Sequence, residues 1–138
     1  MQKRRDVAMA AAAAAAVAAV LVIGFYYLGS PANQRAMNSD QHRVDDLRNI
    51  AQWIHMRPAP LPGSLAELAR GSPVHVKDPV SNAPYEYHPE SGTVYELCAT
   101  FVTAWSGDEQ VDPVRSAFWN HPRGRHCYHL DAGRALPY

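Results

Sequence analysis

The residues in this 138-residue chain whose types could do chemistry are two cysteines and a group of histidines. Cys98 and Cys127 stand 29 positions apart, on two segments that read as strands. In an oxidising compartment such a pair closes as a disulfide; two buried free thiols are the alternative. Closing a loop of that length stabilises a fold by about 3–4 kcal/mol in the chain-entropy picture. No C-x-x-C spacing is present to lower a thiol pKa for redox work. His121, His126 and His129 lie close to Cys127 in the run WNHPRGRHCYHL, and imidazole with thiolate is a donor set for transition metals. Strand alternation divides them, because His126 and Cys127 point to opposite faces and only Cys127 and His129 share one. Two readings stand: a metal site built from His121, His126 and His129, or histidines distributed over a surface and a sheet face. Trp105, Trp119, Arg123 and Arg125 make a candidate contact surface for a protein or a lipid headgroup, with core packing of Phe118 and Trp119 as the competing reading. The chain lacks a haem-attachment motif, H-E-x-x-H, a G-x-S-x-G elbow and a phosphate-binding glycine loop. The expectation is a non-enzymatic protein with no cofactor.

Charge narrows the partners. Thirteen Lys and Arg balance thirteen Asp and Glu. Residues 33–138 carry ten Lys and Arg against twelve Asp and Glu, a net charge near −2. A protein that neutralises phosphates carries a basic excess, so nucleic acid is not an expected partner.

The elements that must position these side chains begin with an apolar run. Val7 to Leu28 has 22 residues without a charge, roughly 33 Å as a helix against a hydrocarbon core of about 30 Å. Lys3, Arg4 and Arg5 precede it, which by the positive-inside rule keeps the N-terminus in the cytoplasm. Tyr26 and Tyr27 sit where amphipathic rings favour the interface. A signal-peptide apolar region is only about 7–15 residues long, so a retained anchor is the first reading and cleavage near Ser30-Pro31-Ala32 the second. Either way residues 33–138 lie outside the cytoplasm. The expected organisation is a basic flank 1–6, a transmembrane anchor 7–28, a linker 29–38 and an extracytoplasmic domain 39–138.

Within that domain, Asn38, Ser39 and Asp40 are N-cap candidates for a helix over 39–57. Val44, Leu47, Ile50, Ala51 and Ile54 form its apolar stripe, with Arg43, Asp45, Asp46, Arg48, Asn49 and Gln52 opposite. Ser64-Leu65-Ala66-Glu67 is a capping box opening a short helix that Gly71 ends. The pattern then changes to period two. Residues 74–76 read as a short extended piece, 78–84 as a turn, 85–88 and 93–102 as a hairpin, 125–130 as a last strand and 131–138 as a loose tail. The fold class expected is α+β: a transmembrane helix, then an amphipathic helix across a three- or four-stranded antiparallel sheet. The helix stripe should meet the face bearing Tyr95, Leu97, Ala99 and Phe101.

This order of elements resembles the globular domain of the type II secretion pseudopilins, chiefly the major one. The matching residues are Leu61-Pro62-Gly63-Ser64-Leu65-Ala66-Glu67-Leu68, Asp78-Pro79 to Pro84-Tyr85-Glu86-Tyr87, and Tyr95-Glu96-Leu97, within about residues 40–101. The prepilin-peptidase signature of that family is absent, since the apolar run follows Lys3-Arg4-Arg5-Asp6 directly. The resemblance implies a structural or interaction role in the bacterial inner membrane, domain in the periplasm, partnered by the membrane and another cell-envelope protein. It also points to a calcium loop after the hairpin, here Asp108, Glu109 and Asp112. The rival reading is a periplasmic metal- or ligand-binding domain using the C-terminal His and Cys residues.

Overall fold

A computed structural model describes residues 2–28, 30–57, 60–105 and 117–137. The chain divides into two compact units, Met1–Arg35 and Ala36–Tyr138. The described elements run in the order α1 (Gln2–Leu28), α2 (Pro31–His55), α3 (Leu65–Arg70), β1 (Glu86–Pro89), β2 (Val94–Phe101), a 3-10 turn (Ala117–Trp119) and β3 (Gly124–Asp131).

The chain is α+β, with a long apolar N-terminal helix and a three-stranded antiparallel sheet of order β1-β2-β3. Helix α1 has 27 residues and is long and apolar enough to cross a membrane. Its apolar side chains are exposed: Val20 is 68% exposed and Phe25 60%.

Helix α2 starts earlier than its polar composition suggests. Residues 31–38, expected to precede the helix, are helical. Ser30 caps them, its hydroxyl accepting from Asn33 N–H at 3.2 Å and its carbonyl from Gln34 N–H at 3.1 Å. Pro31 then takes the first helical position, where its missing N–H costs nothing. Helix α3 is capped as its sequence predicts. The Ser64 hydroxyl accepts from Glu67 N–H at 3.2 Å, while the Glu67 carboxylate reaches back to Gly63 N–H at 2.9 Å.

The 78–84 turn closes on itself, with Asp78 N–H donating to Ala83 O and Asn82 N–H to Asp78 O. Residues 74–76 form no strand; Val76 contributes a single carbonyl, to Tyr85 N–H. The β1–β2 hairpin turns through Glu90–Thr93, where Gly92 takes φ 64°. Val44, Leu47, Ile50 and Ile54 of α2, at most 1% exposed, share one core with Tyr95, Leu97, Ala99 and Phe101 of β2 and Tyr128 and Leu130 of β3. The helix stripe and the sheet face therefore cover each other, as two elements with one apolar surface each must.

The tail is not loose. Ala132 N–H donates to Thr93 O at 2.9 Å, and Pro137 O accepts from the Trp119 indole N–H at 3.1 Å. Period-two and helical patterns carry no signal for such single anchoring bonds, which is why the tail reads as free in the sequence.

Candidate functional site

Two clusters of polar side chains stand out, one inside the domain and one on its surface. The inner cluster starts from α2. Asp40 and Arg43 are one helical turn apart and only 2% and 4% exposed. Asp40 does not cap the helix. Its carboxylate accepts from Val102 N–H at 3.0 Å, from Thr103 N–H and the Thr103 hydroxyl at 2.6 Å each, and from Arg43 Nη1 at 2.6 Å. Arg43 spans from there to Asp78, donating through Nε and, at 3.2 Å, through Nη2. Asp78 in turn accepts from Val80 N–H at 2.9 Å and Ser81 N–H at 2.7 Å.

Burial is the largest influence on both carboxyls and works to raise their pKa values. For Asp40 the Thr103, Val102 and Arg43 hydrogen bonds outweigh it, and for Asp78 those from Arg43, Ser81 and Val80 do so. Both acids end below the usual carboxylate range. The cluster is a saturated clamp joining α2, the 78–84 turn and the end of β2. A hollow of about 290 Å³ beside it is lined by Met37, Gln41, Trp105 and His121 among others. Both oxygens of its charged wall, Asp40, are committed to hydrogen bonds of the clamp. Asp46 nearby accepts from the Tyr85 hydroxyl at 2.8 Å, and burial raises its pKa.

The outer cluster lies on the sheet face turned away from α2. Register sets Cys98 opposite Cys127, Glu96 opposite both His88 and His129, and Glu86 opposite Cys98. Cys98 and Cys127 form a disulfide across the two strands, with Cα atoms 4.0 Å apart. The expected bridge is present, and its sulfurs leave no thiolate for a metal. Arg125 grips Glu86 through Nε at 3.1 Å and Nη2 at 2.7 Å.

His121, His126 and His129 do not converge. His121 is 4% exposed and stacks on Phe101 with ring centroids 3.6 Å apart. His126 packs edge-on against Tyr128 on the core side. His129 stands on the outer face with Nε2 3.0 Å from a Glu96 oxygen. Desolvation lowers the pKa of His121 and of His126.

The aromatic-basic candidates do not share one surface either. Trp119 is fully buried among Phe118 and Tyr128, with the Arg48 guanidinium 5.4 Å from its ring centroid. It belongs to the core because its indole N–H has a partner there, Pro137 O. Trp105 is half-buried and pairs backbone to backbone with His121. Arg125 stands on the outer face with Glu86, and Arg123 is exposed. Asp108, Glu109 and Asp112 lie outside the described residues.

Sequence reasoning missed the Asp40–Arg43 clamp by assigning Asp40 to a cap and Arg43 to the polar face. The signal was spacing. Positions 40, 43, 44, 47, 51 and 54 share one helical stripe, so two charges stood in line with the buried residues and needed buried partners. Glu96 was legible as a neighbour of Cys98 by alternation; its meeting with His88 and His129 needed the strand register. No family model, curated protein or solved structure matches this chain.

Proposed function

We propose that this protein is a single-pass membrane protein whose C-terminal domain is a structural or protein-interaction module outside the cytoplasm, in the manner of a pseudopilin globular domain. In this reading α1 is a retained anchor in a bacterial inner membrane, Lys3, Arg4 and Arg5 hold its N-terminus in the cytoplasm, and residues 33–138 face the periplasm. One observation carries the proposal: the apolar side chains of a 27-residue helix are exposed all round, and none of its apolar window is buried. Apolar surface of that extent is unfavourable in water and favourable in lipid. The disulfide supports the same side of the membrane, because such bonds persist in oxidising compartments. The non-enzymatic part of the reading rests on the clamp, whose buried acids are all hydrogen-bonded.

A phosphatase fused after Tyr138 tests the topology. Activity at the cell surface side of the inner membrane is the expected result. A fusion active only when a reporter suited to the cytoplasm replaces the phosphatase would overturn it. Chemical cross-linking in intact membranes should then capture an envelope protein through residues 36–138.

A further inference from the structure

The outer face of the sheet carries chemistry that neither the clamp nor the anchor uses. Its central row is His88 on β1, Glu96 on β2 and His129 on β3, set side by side by the strand register. Glu90 enters from the hairpin turn, held by its N–H bond to Val94 O at 2.9 Å. We propose that His88, Glu90, Glu96 and His129 bind one zinc ion on this face. The inference does not depend on the membrane reading.

Three of the four groups are already gathered. One ligand atom from each of Glu90, Glu96 and His129 lies within 4.8 Å of the others, and the closest pair, His129 Nε2 and Glu96 Oε1, is at 3.0 Å. Tetrahedral zinc with bonds of about 2.0–2.1 Å needs donor atoms about 3.4 Å apart. Glu90 is exposed and the His129 side chain is 67% exposed, so both can move the remaining distance without disturbing the core. His88 supplies the fourth donor. Its side chain is 55% exposed and rests 3.6 Å from Glu86, a carboxylate that Arg125 already holds through Nε and Nη2. Releasing that contact and turning about its side-chain torsions brings the ring toward Glu96, its neighbour in register.

The backbone favours the set. A Cα separation of 4.0 Å marks Cys98–Cys127 as a non-hydrogen-bonded pair, where facing side chains come closest. Glu96 and His129 are two residues along each strand and share that geometry, and the disulfide fixes their register. Donor chemistry selects the metal. Two imidazoles with two carboxylates suit zinc, whereas calcium takes six to eight oxygens and no nitrogen. Two carboxylates also neutralise a divalent charge.

Zinc titration of the full chain in detergent micelles, by calorimetry with a competing chelator, tests the site. One zinc per chain is expected. His129→Asn, Glu96→Gln and His88→Asn should each weaken binding at least about tenfold. His126→Asn, on the opposite face, should leave it unchanged. Absence of saturable binding overturns the proposal, as does an affinity that survives both His129→Asn and Glu96→Gln. X-ray absorption on the zinc-loaded wild-type chain needs no variant to fold: a shell of nitrogen and oxygen with imidazole scattering supports the site, and a sulfur ligand contradicts it.

Discussion

Helices α1 and α2 have nearly the same length, 27 and 25 residues, and opposite relations to their surroundings. In α2 the apolar residues fall on one stripe and are buried to within 1% of completion at Val44, Leu47, Ile50 and Ile54. In α1 the apolar residues go all the way round and stay exposed. A striped helix specifies a partner within its own chain, because only one face gains by leaving water. A helix without a stripe gains equally in every direction, and a solvent that surrounds it satisfies it best. The same property that makes α2 fold the domain leaves α1 an exposed apolar helix, long enough to cross a membrane.

The stripe of α2 is also where the comparison breaks most easily, because it carries charge as well as oil. Arg43→Ala strands Asp40 and Asp78 without their shared cation. The expected loss is about 3–5 kcal/mol, the cost of leaving a buried charge unpaired. Denaturant unfolding of the full chain in micelles, followed by tryptophan fluorescence, measures it; a loss under about 1 kcal/mol would mean that the clamp is solvated. Next in size is the disulfide. Cys98→Ser, Cys127→Ser and the double variant should each lose about 3–4 kcal/mol, and by the same amount, since each opens one loop. Unequal losses would give the two sulfurs separate roles.

Leu47→Ala should cost about 2–5 kcal/mol by emptying a core position. Gln52→Ala, on the exposed side of the same helix, should stay within about 0.5 kcal/mol. Equal small effects would make α2 a stalk and sever it from the sheet. Acid should act more gradually. His55, His121 and His126 have pKa values lowered by desolvation, so the unfolded chain takes up their protons first. Stability therefore falls as pH drops below about 6.5, the unfolded histidine value. The lowered Asp40 and Asp78 contribute stability that is present above about pH 4 and lost as pH falls through their folded values, while the raised Asp46 works the other way. Unfolding midpoints at pH 7, 5 and 3 should fall in that order; equal midpoints at 7 and 5 would place these rings in water.

What could be read before the structure was known follows the range of each interaction. The α2 stripe, the Ser64–Glu67 cap and the hairpin turn at Gly92 rest on local spacing or on strand alternation, and the pairing of Cys98 with Cys127 on there being just two cysteines for an oxidising compartment. All of them appear in the structure. The Ser30-Pro31 helix start was equally local, but the reading of 29–38 as a polar linker hid it. Asp40 meeting Thr103, Arg43 meeting Asp78 and Trp119 meeting Pro137 join residues 63, 35 and 18 positions apart. The stripe marks Asp40 and Arg43 as buried, but nothing near them names the distant partners, so the clamp's pairings and the anchored tail were illegible. The outer-face grouping of His88, Glu96 and His129 lay between these cases: alternation assigns the face, and only register assigns the row.

The account turns on α1 being retained in lipid. Membranes from cells expressing the full chain, washed in carbonate and analysed by intact mass, test this most directly. The predicted result is the uncut 15.2 kDa chain in the pellet. A soluble product beginning near Asn33 would show that the segment is removed, and would contradict the account.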